Sequence, residues 1–170
     1  ATYGAALCLG GHRQMTVLTG NIEKLLQESI QTTVRAITSI FGYDQVTIND
    51  LAMLDEPILN APYFIILNSD DFLGLQDTAT VNGTLNIPAM IVVAFDDWET
   101  SLNAFRDARQ AVINKFNEVG TARSAGGYEG VDIRRIRPGG PVDYITAEQD
   151  NPQALPVFIT QQLIFEVELF

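Results

Sequence analysis

The sequence predicts an α+β domain in which two amphipathic helices pack on one face of a mostly antiparallel or mixed β-sheet, with a long C-terminal strand. Three observations predict it: two stretches with apolar residues at helical spacing, several short runs of strand length, and a long alternating run at 155–170. With 170 residues, 46% of them hydrophobic, the chain is long enough to bury one core. We expect an N-terminal extension at 1–19 followed by a single domain at 20–170.

Two helices are predicted from the period of their apolar residues. The first is expected to begin after Asn21 and to end at Gly42, with the buried stripe Ile22, Leu25, Leu26, Ile30, Val34, Ile37 and Phe41. The second begins at Asp96-Asp97, where Glu99 completes a capping-box spacing, and ends at Gly120. Its buried stripe has one polar interruption, Arg109, among Trp98, Leu102, Phe105, Val112, Phe116 and Val119. Each helix therefore has one apolar face to bury against a sheet.

Strands are predicted where short apolar or alternating runs lie between turn residues. Asn82-Gly83 predicts the turn of a hairpin between 79–81 and 84–86, because both turn positions favour positive φ. Pro88 is expected to open a central strand from Met90 to Phe95. Further strands are expected at 45–49, 63–67, 131–137 and 142–146, with irregular or loop structure at 51–60, 121–130 and 147–154.

The C-terminal strand, Leu155 to Phe170, has two different faces. One is a core face, interrupted by Gln161 and otherwise formed by Val157, Ile159, Leu163, Phe165, Val167 and Leu169. The other is mixed, and its large apolar side chains are costly to leave in water, at roughly 1.5–3 kcal/mol for each one that burial would cover. A partner subunit would cover them, whereas a long hairpin arm in a monomer is the alternative. We predict these side chains as subunit-interface residues: Phe158, Ile164 and Phe170.

The charge balance argues against tight binding of nucleic acid. Ten Lys and Arg against 21 Asp and Glu give a net charge of −11, and phosphate binding depends on basic side chains. An acidic surface suits a passage through which DNA slides without binding specifically, and it equally suits plain solubility. One basic cluster, Arg134, Arg135 and Arg137, can pair with carboxylates of a neighbouring subunit or can protect an edge strand from aggregation. We also predict these three arginines as interface residues.

The sequence offers little material for catalysis. His12 is the only histidine and Cys8 the only cysteine, so histidine triads and cysteine or multi-histidine metal sites are not expected. The acidic pairs Asp55-Glu56, Asp70-Asp71 and Asp96-Asp97 could hold a divalent cation for hydrolysis, although each also fits a helix cap or a turn. We expect no enzyme, no catalytic or metal-binding residue, no cofactor and no membrane span. A small metal-dependent hydrolase is the alternative from a different class.

Four segments, in order, carry a resemblance to a known family: a first helix at 21–41, the run 63–67, the run 90–95 leading into a helix, and the closing run 156–167. This order resembles that of the tail terminator proteins of long-tailed bacteriophages, also called tail completion or tail-to-head joining proteins. The resemblance implies a structural virion protein, made in the host cytoplasm, that forms a six-membered ring. Such a ring would cap the tail tube at its head-proximal end and contact the tube and neck proteins. Another neck or tail ring, such as a head-completion, stopper or tail-tip protein, is the alternative within the class.

Overall fold

In the part of the chain that the structure describes, six strands form one mixed sheet and two helices pack on one face of it, which confirms the predicted α+β fold class. The structure, a computed structural model, describes residues 22–69, 83–118, 131–147 and 154–169. The expected N-terminal extension at 1–19 and the expected loop at 121–130 lie outside these residues. The helices are α1 (Ile22–Arg35) and α2 (Trp98–Phe116), and the strands are β1 (Val46–Ile48), β2 (Pro62–Ile66), β3 (Gly83–Ala94), β4 (Val131–Pro138), β5 (Asp143–Thr146) and β6 (Pro156–Leu169).

The C-terminal strand β6 lies inside the sheet rather than at its edge. The strand order is β1-β2-β3-β6-β4, and β5 pairs with the first part of β6 on the same side as β4. Among the described strands, β1 and β2 run parallel, while every other pair of neighbouring strands is antiparallel. β6 pairs with β3 along twelve residues, from Phe158 opposite Ala94 to Leu169 opposite Gly83. Because both backbone sides of β6 are paired, another chain could reach this strand only through its side chains.

The main core lies between the helices and one face of the sheet. Alternate residues of β3 and β6 point into it, as the predicted core face of the last strand requires. Phe165 is fully buried, with its ring 5.0 Å from that of Phe116 and 6.1 Å from that of Phe64, both in edge-to-face geometry. Val157 departs from the prediction and is exposed.

The opposite face of the sheet, here called the second face, is only partly covered. A short 3₁₀ helix at Ala52–Asp55, within the segment expected to be irregular, supplies the covering residues. Tyr63, Ile65 and Val92 are buried there. Partly buried residues packed against them are Met53, Leu54, Leu67, Met90 and Phe158. The sheet is therefore dry on the helix side and half-covered on the other.

Helix α1 ends at Arg35, so the expectation that it reaches Gly42 is wrong. Thr32 and Thr33 each donate a side-chain hydrogen bond to the carbonyl four residues earlier, and they stand in a β-branched stretch of weak helix propensity. After Arg35 the chain tightens, with the amide of Ile37 donating to the carbonyl of Val34. The apolar period nevertheless continues through the turns: Ile37 and Ile40 pack against the core, and Phe41 is buried.

Strand β3 is longer than predicted, because Pro88 lies within it rather than before it. Of the predicted hairpin turn, Asn82 lies outside the described residues and Gly83 begins β3. The carbonyl of Pro88 accepts a hydrogen bond from the amide of Leu67. In an antiparallel pair, the nitrogen of Pro88 therefore faces the carbonyl of Leu67. Proline has no N–H, so it cannot donate to that carbonyl. Gln27 of α1 donates to that carbonyl instead, with Nε2 at 2.7 Å. A side chain from the helix thus replaces the donor that proline lacks.

Helix α2 begins one residue later than the predicted capping box. Asp97 is the cap, and its carboxylate accepts from the amide of Thr100 at 2.8 Å, so the spacing from Asp96 to Glu99 is not the one used. The helix ends at Phe116, and the predicted Val119 and Gly120 lie outside the described residues. Trp98, assigned to the buried stripe, is 50% exposed.

Candidate subunit interface

The predicted interface residues of β6 lie on the second face. Phe158 is partly buried against the cluster around Tyr63, and Ile164 is also half-buried, in register with Pro88 of β3 and Arg137 of β4. Phe170 lies outside the described residues. The face that the sequence identified as mixed is therefore the face that the helices leave uncovered.

The basic cluster lies on β4, beside the same face, and it pairs with carboxylates of its own chain. Arg135 and Arg137 both donate to one carboxylate oxygen of Glu166, and Arg134 donates to Glu168 at 2.6 Å. A β-bulge between Ile133 and Arg135 makes this possible, since it inserts Arg134 as one extra residue in β4. The sequence had suggested carboxylates of a neighbouring subunit as partners, whereas those seen belong to β6.

These ion pairs shift two pKa values. The pKa of Glu166 lies below its ordinary value because side-chain hydrogen bonds from Arg135 and then from Arg137 stabilise the carboxylate. The pKa of Arg135 is raised, first by its hydrogen bond to Glu166 and then by the attraction between the two charges. The pairs remain open to water: 56% of the Arg134 side chain and 65% of the Arg135 side chain are exposed.

The two polar interruptions noted in the sequence contact each other on the helix side of the sheet. Nη1 of Arg109, from α2, donates to Oε1 of Gln161, from β6, at 2.8 Å. Nε2 of Gln161 donates in turn to the carbonyl of Gly140 at 3.0 Å. Gln161 is buried, so these bonds satisfy a side-chain amide that would otherwise be costly to bury.

A row of aromatic rings crosses one end of the sheet, and sequence reasoning missed its exposure. The ring of Trp98 lies 5.0 Å from that of Phe95 and 5.5 Å from that of Tyr144. Other exposed apolar residues at the β5 and β6 end of the sheet are Ile145, Leu155 and Val157. Trp98 is the first residue of α2 and Val157 is the second residue of β6. A position at the start of an element was the available signal of exposure, because few neighbouring residues extend far enough to cover a side chain there.

A groove lies beside the β1 edge, in a part of the chain where the sequence predicted the irregular segment 51–60 and parts of two strands but no site. It is lined by two tyrosines, small and apolar residues and carboxylates: Gly42, Tyr43, Asp44, Gln45, Ala52, Met53, Asp55, Glu56, Ile58 and Tyr63. The guanidinium of Arg35 stacks 3.7 Å from the centre of the Tyr43 ring. The available signal was composition, since residues 43–60 contain four carboxylates and no lysine or arginine.

Two of the acidic pairs that could have held a metal ion, Asp55-Glu56 and Asp96-Asp97, fall within the described residues and are not grouped as a metal site. Asp97 caps α2, and Asp96 accepts a hydrogen bond from Asn60. Asp55-Glu56 are exposed beside the groove, and Asp70-Asp71 lie outside the described residues. Among the residues that the structure describes, no three His, Cys, Asp or Glu side chains are grouped so that they could hold a metal ion. None of the described helices is long and apolar enough to cross a membrane.

Comparisons with known proteins assign no family to this chain. No protein-family model matches the chain, and no curated protein matches it either.

Proposed function

We propose that this protein is a structural component of a long-tailed bacteriophage and assembles into a ring, of six copies by its resemblance to tail terminators, at the head-proximal end of the tail. One observation carries the proposal. The 14-residue strand β6 is buried by helices on one face only, while its second face holds Phe158 and Ile164 half-covered. Apolar side chains placed in this way gain free energy when another copy covers them.

The charge supports the same proposal. A net charge of −11 disfavours binding to the phosphate backbone, as suits a ring through which DNA passes. In the proposed assembly the ring contacts the tail tube on one side and the neck on the other, and the protein needs no cofactor and performs no catalysis.

Localisation in the particle tests this function. Purified virions should be labelled through an epitope on this protein and imaged by electron microscopy, with a tube-protein label as the control that marks the whole tail. We expect label at a single position, where the tail meets the head. Label along the tube would contradict the proposal, and label at the distal tip would favour a tail-tip protein instead.

A further inference from the structure

The edge of the sheet beside β1 is acidic and carries exposed apolar residues. Asp44, Asp50, Asp55 and Glu56 are all exposed there. Tyr43 is 68% exposed, and the other exposed large apolar side chains of this region are Leu51, Ile58 and Leu59. Carboxylates around an apolar groove form a surface suited to a partner that brings both basic and aliphatic groups.

A partner at this acidic edge would contact side chains rather than add a strand to the sheet. The carbonyl of Val46 in β1 already accepts hydrogen bonds from Gln31 Nε2 at 3.0 Å and from Arg35 Nη2 at 3.1 Å. Strand β1 is also only three residues long. A partner therefore meets the groove and its carboxylates, because the backbone of the edge is partly occupied.

The opposite edge of the same sheet, formed by β4, carries exposed arginine side chains. Arg134 and Arg135 on β4 each use one guanidinium nitrogen for an ion pair within the chain, and both side chains are more than half exposed. With Ile113 and Ile136, they line a small groove between α2 and β4. A guanidinium has five N–H donors, so each arginine keeps donors for a further carboxylate.

We propose that neighbouring copies meet head to tail, with the basic β4 edge of one copy against the acidic β1 edge of the next. This pairing rests on the ring assembly proposed above, and it names two edge surfaces that neighbouring copies use in addition to the second face of β6. The sheet order places the two surfaces at opposite edges of every copy, so each copy offers one of each kind. Contacts between two different surfaces repeat from copy to copy and close into a ring when the rotation between copies allows it.

Charge reversal on each edge tests the pairing. One variant carries Arg134→Glu with Arg135→Glu, and the other carries Asp44→Lys, Asp55→Lys and Glu56→Lys, which gives the β1 edge a net positive charge. Each variant then has two edges of like charge, so each alone should sediment at the mass of the protomer. Mixed in equal amounts, the two should regain the wild-type assembly, because every contact in an alternating ring again joins opposite charges. Analytical ultracentrifugation measures wild type, each variant alone and the mixture of the two.

Two controls separate this pairing from misfolding and from an unspecific charge effect. Arg106→Glu with Lys115→Glu, on α2, changes the net charge as much as the arginine variant and should assemble as wild type does. Circular dichroism should show that each variant is folded. If the arginine reversal variant does not fold, Arg134→Gln with Arg135→Gln takes its place, because it avoids new repulsion from Glu166 and Glu168. This substitute should also lower assembly.

Failure of the pairing is distinguishable from failure of the ring function. Any one of three outcomes would overturn the edge pairing. Wild type could stay monomeric, a reversed variant could still assemble alone, or the mixture could fail to recover the wild-type assembly. If wild-type assembly persists in the reversed variants while virion label stays at the head-proximal end, the ring function stands and only the assigned surfaces are wrong. If the mixture recovers assembly but the label lies elsewhere, the pairing stands and the function does not.

Discussion

Single polar residues do much to hold the helices against this sheet. Arg109 and Gln161 looked like separate defects in two apolar stripes, yet they form one hydrogen-bonded contact across the core boundary. A buried polar group is tolerable only with a partner, so the two interruptions depend on each other. Sequence periodicity found both residues but could not pair them, because they are 52 positions apart.

Arg109→Met should therefore destabilise the protein by about 1–3 kcal/mol, the usual cost of leaving a buried acceptor unpaired. Unfolding in urea measures the change. Arg106→Met, an exposed arginine one turn earlier, is the matched control and should have little effect. The loss should shrink in the background of Gln161→Leu, since the acceptor is then absent; an equal loss in both backgrounds would show that the contact is unimportant.

Glu166 makes stability depend on pH. Its folded-state pKa lies below the ordinary value of 4.5, so its ion pairs stabilise the fold above about that pH and are lost as the pH falls through the folded-state pKa. We expect wild type to exceed Glu166→Gln in unfolding free energy at neutral pH, and the difference to vanish in acid. Thermal unfolding from pH 7 to pH 3 measures this, with Glu28→Gln as a control for removing one carboxylate. A difference independent of pH would contradict the assignment.

At the scale of elements, the faces of β6 separate folding from assembly. Phe165 points into the core, whereas Phe158 and Ile164 lie on the second face. Phe165→Ser should cost at least about 3–5 kcal/mol, the range for removing a buried phenylalanine ring, and should unfold the protein. Phe158→Ser and Ile164→Ser should leave it folded but reduce assembly, as calorimetry and ultracentrifugation together would show. Equal loss of folding in all three would contradict the assignment of faces.

The length of β3 depends on a helix. Gln27→Leu removes the donor to the carbonyl of Leu67 and should cost about 1–3 kcal/mol in urea unfolding. Pro88→Val supplies a backbone N–H that points at the same carbonyl. In that background the cost of Gln27→Leu should fall markedly. No coupling between the two positions would mean that the glutamine does not substitute for the missing donor.

Local patterns predicted α2, the start of α1 and the strands other than β3 to within a few residues, because alternation and helical spacing are properties of neighbouring residues. They did not predict that α1 ends at Arg35. They could not predict that β3 runs through Pro88, since the compensating donor lies on α1, 40 residues before the carbonyl it serves. Nor could they show that Trp98 is exposed, because a helical stripe does not reveal where the sheet beneath it ends. On β6, the pattern identified the face that the helices leave uncovered but not the ion pairs of Glu166, which need the register of β4.

At the scale of the whole molecule, four exposed carboxylates lie at one edge of the sheet and the arginine cluster of β4 lies at the other. The acidic segment 43–60 contains β1, and the arginine cluster lies on β4. These two strands stand at opposite ends of the strand order. Net charge alone predicted an acidic protein, but only the sheet order places the acidic segment and the arginine cluster at opposite edges of a single copy.

We expect this charge distribution to prevent stable binding of DNA. Fluorescence anisotropy with a 30-base-pair duplex at about 50 mM salt should show no saturation at protein concentrations up to about 100 µM, the weak end of ordinary non-specific binding. A protein with the same fold but with Asp55→Lys and Glu56→Lys is a useful comparison for the effect of local charge. Saturable binding by wild type that weakens steeply with salt would contradict the expectation.

The bulge in β4 has a consequence for what the protomer itself requires. Ile133 and Ile136 are three positions apart, yet they pair with Val167 and Phe165, which are two positions apart. Omitting Arg134 would restore plain alternation and keep both isoleucines on their present side, so the ladder is complete without it. The strand pairing within one chain therefore does not require Arg134. We expect its role to lie in contacts with neighbouring copies.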